Sequence, residues 1–409
     1  MSFDRREHVR YVPAKLLNAL LIWRDEEVGQ KSSARLIDLS QGGCSLVSRY
    51  GPVVGAHAVV VLPLPEGEAP QQLHCRIMSR NPTGSELQTS MKFEQVSGEQ
   101  MTRLDSILAS EAFEPLRADT PATKRTHWRV PQWAAYLTAQ QLPVMPRSKR
   151  TLLAFEAEKG SDLSAGELVD LANRDPFLCL CLLRVAESKR VARLGHEAST
   201  PLAAVLQMGS AAFRELLIAS PETDETVLGL AECEARSVMA GQLAMAWSAL
   251  RADSAPGEVS MAALLAEIGE LLLWHFAKDL PQASLEALAS GKAKHTDAAQ
   301  EAVCGFKFRD LTLKCAEIWN LPRILIQLIR SQDNIRANLA KVSTDTARHL
   351  IAGPDNSALP DDLAAAKRLI PQVSLEVLVD ELKWVPEEMR RDLVDKAGQV
   401  LANNPPKPT

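Results

Sequence analysis

The chain contains 409 residues, with 46 lysines and arginines against 51 aspartates and glutamates, which gives a formal net charge of −5. At about 100–200 residues per domain, this length predicts two or three domains. The hydrophobic share of 46% and the charged share of 24% are typical of a globular protein and argue against a disordered chain or a fibre. The mild acidity argues against a general nucleic-acid binder, because phosphate-backbone binding needs a basic excess.

The same features predict a cytoplasmic protein without a membrane span. No apolar run reaches the roughly 18 residues that a membrane-spanning helix needs. The first residues, MSFDRREHVRYVPAK, are charged and lack the apolar core of a secretory signal. The seven cysteines are odd in number and irregularly spaced, so we expect buried free thiols rather than a disulfide framework or a zinc site.

Residues 14 to 94 alternate short β-type runs with turn signals. The candidate strands are Ala14–Trp23, Arg35–Asp38, Cys44–Ser48, Ala58–Leu62, Leu73–Met78 and Leu87–Phe93. Several short strands at this spacing predict a small antiparallel barrel of six strands. Apolar residues then recur at helical spacing between Met101 and Leu108, which predicts a helix that closes the barrel or packs against it.

The rest of the chain predicts a linker and an all-helical domain. Residues 115–141 mix proline, threonine and basic residues without a sustained period. Trp128 and Trp133 in this linker either dock on a flanking domain or form a partner-binding motif. From residue 142 to residue 402 the pattern is helical, and the tail 403–409 is predicted to be disordered. The predicted fold class is therefore multidomain α+β, with a barrel in residues 1–114 followed by helices.

Several helix starts in this domain carry capping signals. Ser164 and Glu167 have the spacing of a capping box. Asp175 and Thr200 each precede a proline that would occupy the first helical position. We also expect Ser260 to cap a helix over Met261–Lys278.

A set of polar residues near the N-terminus has the chemistry of a guanine nucleotide site. The set comprises Arg5, Arg6, Arg10, Asp38, Ser40 and Gly43. A guanidinium can bond phosphate or the O6/N7 edge of guanine at two points. A carboxylate accepts from the N1–H and amino group of guanine, and glycine lets the backbone come close to a ligand. Taken singly, the R-x-x-x-R spacing of Arg6 and Arg10 is usually a solvated charged face, and the D-x-S-x-x-G pattern that begins at Asp38 can be a plain hairpin turn.

Together these residues resemble the PilZ domain, a family of cyclic di-GMP receptors, over about residues 3–112. Arg6 and Arg10 match the R-x-x-x-R of the family, and Arg5 matches the extra arginine that often precedes it. Asp38, Ser40 and Gly43 match its D/N-x-S-x-x-G. The resemblance implies a flexible arginine segment that folds over cyclic di-GMP and holds it against the barrel.

Residues 135–345 resemble the HDOD domain, a helical relative of the HD-type metal phosphohydrolases. The resemblance rests on spaced blocks that include Asp175-Pro176, the run from Thr200 to Gly209, and Ile318-Trp319-Asn320-Leu321-Pro322. It implies that Ala266 and Glu267 stand where a catalytic relative has a His-Asp pair, and that Arg236 falls where another ligand histidine would be. Alanine has no donor atom and arginine repels a divalent cation, so we expect an inactive interaction scaffold.

These observations predict a bacterial signalling protein rather than an enzyme. The barrel would bind cyclic di-GMP, without any cofactor or metal, and the helical domain would relay its state to an unidentified protein partner. Both domain types could also self-associate. One alternative is a metal-dependent phosphohydrolase regulated by the barrel, and another is a ligand-free adaptor.

Overall fold

The computed structural model describes residues 10–13, 16–25, 28–62, 70–83, 86–110, 112–116, 128–160, 163–193, 197–293, 295–331 and 334–403. The chain divides into two compact units. The first comprises Met1–Leu142 together with Phe276–Trp319, and the second comprises Pro143–His275 together with Asn320–Thr409.

The first unit contains an antiparallel β-barrel. Its strands are β1 Arg10–Pro13, β2 Asn18–Asp25, β3 Val28–Ser40, β4 Gly43–Ser48, β5 His57–Leu62, β6 Gln71–Thr83, β7 Glu86–Phe93 and β8 Phe113–Leu116. Six of them run in the order β2-β5-β6-β7-β4-β3, and β2 also pairs with β3, which closes the barrel. The prediction of a six-stranded antiparallel barrel is confirmed.

Alternation of side chains along the strands builds the barrel core. Alternate residues of β2, such as Ala19 and Leu21, are buried while their neighbours are exposed, as a strand with one solvated face requires. Helix α1, Gly98–Leu108, begins at a capping box and contributes Leu104 and Leu108 to the same core. The helix expected after Phe93 therefore packs against the barrel as predicted.

Two strands of four residues extend the sheet beyond the closed barrel. Strand β1 pairs with β3 at Tyr11 and Leu39, and along its whole length with β8, where Arg10 lies opposite Leu116. The sequence did not predict either strand, because four residues are too few to establish an alternating pattern. Their pairing joins the arginine-bearing N-terminal segment to the end of the barrel sequence.

The remaining helices of the first unit are α2 Val130–Thr138, α11 Asp279–Ala289, α12 Thr296–Cys304 and α13 Phe308–Ile318. Helix α2 lies inside the segment expected to be a linker. It forms because Pro131 suits a first helical turn, Gln132 accepts from the backbone N–H of Arg129 at 2.9 Å, and Trp133 is buried. The indole N–H of Trp319, after α13, donates to the carbonyl of Thr138 at 3.4 Å.

The outer face of the barrel packs on the end of α2. Ile37 of β3 and Val47 of β4 form a small buried cluster with Ala139, the C-cap residue of α2. Ala139 is fully buried. The barrel and α2 therefore share an apolar contact within the first unit.

The second unit is helical. Its helices are α3 Pro146–Lys159, α4 Ala165–Ala172, α5 Pro176–Arg193, α6 Pro201–Met208, α7 Ser210–Ala219, α8 Leu228–Leu250, α9 Pro256–Leu265, α10 Ile268–Phe276, α14 Arg323–Ile329, α15 Ile335–Ala352, α16 Leu359–Leu369, α17 Leu375–Asp380 and α18 Glu387–Asn403. Of the predicted tail 403–409, Asn403 ends α18 and the other six residues lie outside the described residues.

The predicted caps are largely confirmed. Ser164 caps α4 with a complete capping box, and the hydroxyl of Thr200 accepts from the N–H of Ala203 at the start of α6. Asp175 precedes α5 and accepts from the N–H of Leu178 at 2.9 Å. The prediction for Ser260 is wrong.

Ser260 lies inside α9, which begins at Pro256 because proline at the first position sets the helical φ angle. Its hydroxyl instead donates to the carbonyl of Gly241 at 2.8 Å. Helix α9 then ends at Leu265, and α10 begins at Ile268. The expected single helix over Met261–Lys278 is therefore two helices with a break around Glu267.

One segment is long and apolar enough to span a membrane by length and composition, contrary to the expectation that no run reaches this limit. Pro256–Phe276 has a mean hydropathy of 1.4, and 78% of the window is buried inside the protein. In the described part of the chain, α6 and α7 pass the same test only as a pair bent by 106°. All seven cysteines are buried and free, as predicted.

Gly229 in α8 should resist substitution because of a close aromatic contact. A Cβ there would lie 2.3 Å from the ring of Trp274, which is buried. We expect Gly229→Ala to destabilise the protein by about 1–3 kcal/mol, the usual cost of overpacking. Denaturant unfolding of the purified variant measures this change.

Gly398→Ala is the matched control, because Gly398 lies in α18 and a Cβ added there would meet nothing within 4 Å. Alanine should stabilise that helix by about 0.4–1 kcal/mol. A Gly229→Ala variant as stable as the wild type would contradict the packing that this contact implies.

Candidate functional site

Arg10 and Asp38 meet on the outer face of the barrel. Arg10 Nη1 donates to both carboxylate oxygens of Asp38, at 2.9 and 2.7 Å, and to Ser45 Oγ at 3.3 Å. The side chain of Asp38 is 10% exposed and that of Arg10 is 30% exposed. The pair is thus sheltered on the carboxylate side and accessible on the guanidinium side.

Strand register explains why these side chains converge. A bulge in β3 between Leu36 and Asp38 shifts the register, so that Asp38 pairs with Ser45 on β4. The neighbours of Ser45 in β4 are buried in the barrel core, so Ser45 and Asp38 face outward. Ser45 was missed in the sequence, although its position two residues after Gly43 on a predicted strand is a usable signal.

Ser40 and Gly43 shape the turn that follows Asp38. The hydroxyl of Ser40 donates to the carbonyl of Gly43 at 3.1 Å. A Cβ at Gly43 would lie 2.1 Å from the carbonyl oxygen of Met91, so only glycine fits where β4 starts against β7. The D-x-S-x-x-G pattern therefore forms a β-turn at the end of β3.

The structure brings together only part of the predicted site. Arg10, Asp38, Ser40 and Gly43 lie at adjacent positions of β1, β3 and β4. Arg5 and Arg6 lie outside the described residues.

A second charged cluster occupies the break between α9 and α10. Glu267 is buried and accepts from the guanidinium groups of both Arg236 on α8 and Arg348 on α15. Arg236 also lies 3.0 Å from a carboxylate oxygen of Glu270 and donates to Cys233 Sγ at 3.3 Å. Helices α8 and α15 are thereby joined to the break between α9 and α10 through one buried carboxylate.

The charges of this cluster stabilise one another. Burial alone would raise the pKa of Glu267, but Arg236 and Arg348 hold that pKa below its ordinary value of 4.5. Burial likewise opposes the charged form of Arg236, while Glu267 and Glu270 keep the pKa of that guanidinium well above its usual range. The cluster is therefore ionised at neutral pH.

These residues do not fit a metal site. The lone pairs of Glu267 face two guanidiniums, and the preceding residue, Ala266, has no donor atom. Among the described residues, no group of three or more histidine, cysteine, aspartate or glutamate side chains could hold a metal ion. Arg348 was missed in the sequence, since it lies 81 residues from Glu267 and no motif connects them.

Comparison with known protein families agrees with the predictions for both domains. The PilZ domain model matches residues 4–110, and the HDOD domain model matches residues 142–335. The chain carries a PilZ domain followed by an HDOD domain. No curated protein matches the sequence significantly.

Solved structures are similar to each part. A virulence factor from Campylobacter jejuni is 16% identical, with 64% of this chain and 100% of that chain covered and a TM-score of 0.52, which indicates a shared helical fold. An HDOD domain protein from Geobacter sulfurreducens is 16% identical, with 64% and 97% covered and a TM-score of 0.35. The PilZ domain of YcgR from Escherichia coli, solved with cyclic di-GMP, is 17% identical, with 25% and 88% covered and a TM-score of 0.22.

PilZ is a binding domain, and its combination with HDOD supports a cyclic di-GMP-binding protein of signal transduction. The resemblance recognised from the arginine and D-x-S-x-x-G motifs is confirmed, as is that of the helical region.

Removal of the central carboxylate should destabilise the HDOD domain strongly. Glu267→Gln leaves two buried guanidiniums without a counter-charge, so we expect a loss of about 3–5 kcal/mol in unfolding free energy at neutral pH. Because the folded pKa of Glu267 is depressed, its contribution is complete above 4.5 and is lost as the pH falls through the folded pKa. The difference between wild type and variant should therefore shrink in acid.

Two further variants serve as comparisons for this measurement. Glu387→Gln removes a carboxylate from an exposed pair with Arg391 and should change little. The triple variant Arg236→Met, Glu267→Leu, Arg348→Met should be close to neutral or more stable, because apolar packing can replace a buried ion cluster. Equal stability of Glu267→Gln and wild type at all pH values would refute this role.

Proposed function

We propose that the PilZ barrel is a cyclic di-GMP receptor and that the HDOD domain is a non-catalytic scaffold that relays its state to a protein partner. The ligand would be held by Arg5, Arg6, Arg10, Asp38, Ser40 and Gly43. The observation that carries the proposal is the contact between the Arg10 guanidinium and the Asp38 carboxylate on the accessible face of the barrel.

Binding would proceed by exchange of hydrogen-bond partners. In the described structure, Arg10 and Asp38 satisfy each other. A guanine base can replace both contacts, since its O6 and N7 accept from a guanidinium and its N1–H and amino group donate to a carboxylate. A phosphate of the ligand can satisfy further arginines, and Ser45 remains beside Asp38 as an additional polar contact.

The route of the signal would begin at β1. Arg10 is the first residue of that strand, which pairs with β8 over Arg10–Pro13 and Phe113–Leu116. Strand β8 directly precedes residues 117–127, which lead toward α2. A ligand that draws Arg10 away from Asp38 would therefore act on the strand pair through which the PilZ domain continues into the rest of the chain.

The proposed scaffold role rests on the Glu267 cluster. A carboxylate bonded to two guanidiniums is unavailable as a ligand for a catalytic metal, which needs several donors and an open position for water. No cofactor is proposed for either domain. The partner would be another protein, with self-association of this chain as one form of it, and the cytoplasm is the expected compartment.

Substitution of Arg10 tests the receptor assignment. Arg10→Ala removes the guanidinium that would bond the guanine edge or a phosphate of the ligand, and a hydrogen bond to a charged group is worth about 1.5–3 kcal/mol. We therefore expect the dissociation constant for cyclic di-GMP to rise at least about tenfold in titration calorimetry. Cyclic di-AMP should bind the wild type more weakly, because adenine presents an amino group where guanine presents O6.

Arg103→Ala is the matched control, because Arg103 lies exposed on α1 in a pair with Glu99. This variant should bind as the wild type does. No heat on titration of the wild type would favour the ligand-free adaptor, and unchanged affinity in Arg10→Ala would remove Arg10 from the site.

The scaffold assignment predicts an inert HDOD domain. Purified full-length protein should contain no stoichiometric transition metal by elemental analysis. It should not hydrolyse phosphodiester or phosphomonoester substrates when Mg²⁺, Mn²⁺ or Zn²⁺ is added, with or without cyclic di-GMP. Turnover that disappears in Glu267→Gln would instead favour the metal-dependent phosphohydrolase.

A further inference from the structure

A carboxyl group without a counter-charge is buried inside the HDOD domain. Glu234 of α8 is 3% exposed. Among the described residues, its Oε1 has no hydrogen-bond partner and its side chain forms no ion pair. Glu267 in the same domain is 6% exposed, but two guanidiniums bond it. Glu234 therefore lacks the compensation that keeps Glu267 ionised.

A second buried carboxyl group opposes the ionisation of Glu234. Asp175, which precedes α5, accepts from the backbone N–H of Met145 at 2.8 Å, from the hydroxyl of Ser148 at 2.7 Å and from the N–H of Leu178 at 2.9 Å. These three donors favour the ionised form of Asp175, although burial raises its pKa. A negative charge on Asp175 makes a second one on Glu234 unfavourable.

The other groups that face Glu234 compensate its charge only in part. Arg147 of α3 is the cation that acts on it, but the guanidinium donates to a backbone carbonyl at 3.2 Å rather than to the carboxyl group. The hydroxyl of Thr223 favours the charged form, whereas Glu225 opposes it. Burial and, to a smaller extent, Asp175 therefore raise the pKa of Glu234 to about 7, from an ordinary value of 4.5.

Glu234 lies beside the contacts that attach the first residues of the second unit, which begins at residue 143. The N–H of Val144 donates to the carbonyl of Pro221 at 2.8 Å, and the N–H of Thr223 donates to the carbonyl of Val144 at 3.0 Å. Asp175 accepts from the N–H of the residue that follows Val144. Two neighbours of Glu234, Thr223 and Asp175, thus hold this segment in place.

We propose that Glu234 is a pH-sensitive switch that controls the attachment of the entry segment of the HDOD domain, residues 143–148. In the closed state Glu234 keeps its proton, because water and counter-charge are both missing. When the segment detaches, Glu234 becomes hydrated and releases the proton to water. A rise in pH therefore favours the open segment. This switch does not depend on the binding of cyclic di-GMP.

Hydrogen exchange of the full-length protein tests the proposal. It is followed by mass spectrometry and corrected for the intrinsic pH dependence of amide exchange. Because the pKa of Glu234 is raised in the closed state, the stability that it contributes is complete below 4.5 and is lost as the pH rises through about 7. In peptides that contain Val144 or Thr223, the opening constant should rise by up to about tenfold per pH unit between about 5 and 7 and level off above.

Two variants isolate the effect of the switch. Glu234→Gln resembles the protonated side chain, so its opening constant should not change between about pH 5 and 7. Glu225→Gln is the matched control, because Glu225 also faces Glu234 but is 46% exposed and pairs with Arg150. This control should keep the pH dependence of the wild type. The same pH dependence in Glu234→Gln and wild type would overturn the proposal.

A spectroscopic measurement on the wild type keeps the test decisive if Glu234→Gln folds poorly. In protein labelled with ¹³C at the glutamate carboxyl carbons, one resonance should titrate near pH 7, which is the value that burial gives Glu234. Titration of every glutamate resonance at the ordinary value of about 4–5 would refute the switch.

Discussion

A carboxylate that leaves water stays ionised only if charge or hydrogen-bond donors replace its lost hydration. Among the described residues, arginine does so beside several sheltered carboxylates, which include Asp38, Glu267 and Asp253. The planar guanidinium suits this task because it presents several donors in a fixed geometry and keeps its charge when partly buried. The burial of each pair determines whether a ligand can replace one of its two partners.

The setting of the guanidinium distinguishes a fixed charge cluster from an exchangeable one. Glu267 receives two guanidiniums in a buried position between helices, so a third partner would have to displace a compensated charge at high cost. Asp38 is bonded by the guanidinium of Arg10, a side chain that is 30% exposed. A ligand with matching donors and acceptors can exchange with Arg10 without leaving either group in an apolar environment.

Sequence patterns predicted the features that depend on neighbouring residues and missed the contacts between residues that are far apart in the sequence. Alternation and turn signals indicated the barrel, and capping residues indicated several helix starts, because both depend on neighbours a few residues away. Strands β1 and β8 are too short to show alternation of apolar and polar residues. The proline and threonine content around Pro131 predicted a linker, so helix α2 was not predicted. The motif spacing identified Arg10 and Asp38, whereas Arg348 reaches Glu267 only through the packing of α15 on α8.

The contact between Arg10 and Asp38 also bears on specificity. A free phosphate can satisfy Arg10, but it would leave Asp38 sheltered and facing another anion. Adenine has no N1–H to donate to a carboxylate, and its amino group would face the guanidinium. A buried group left unpaired costs more than the same bond gains when made, so discrimination at the proposed site would come mainly from rejection of ligands that match only one partner. Guanine would satisfy both partners, so the proposed site could select guanine although Arg10 and Asp38 pair with each other when no ligand is bound.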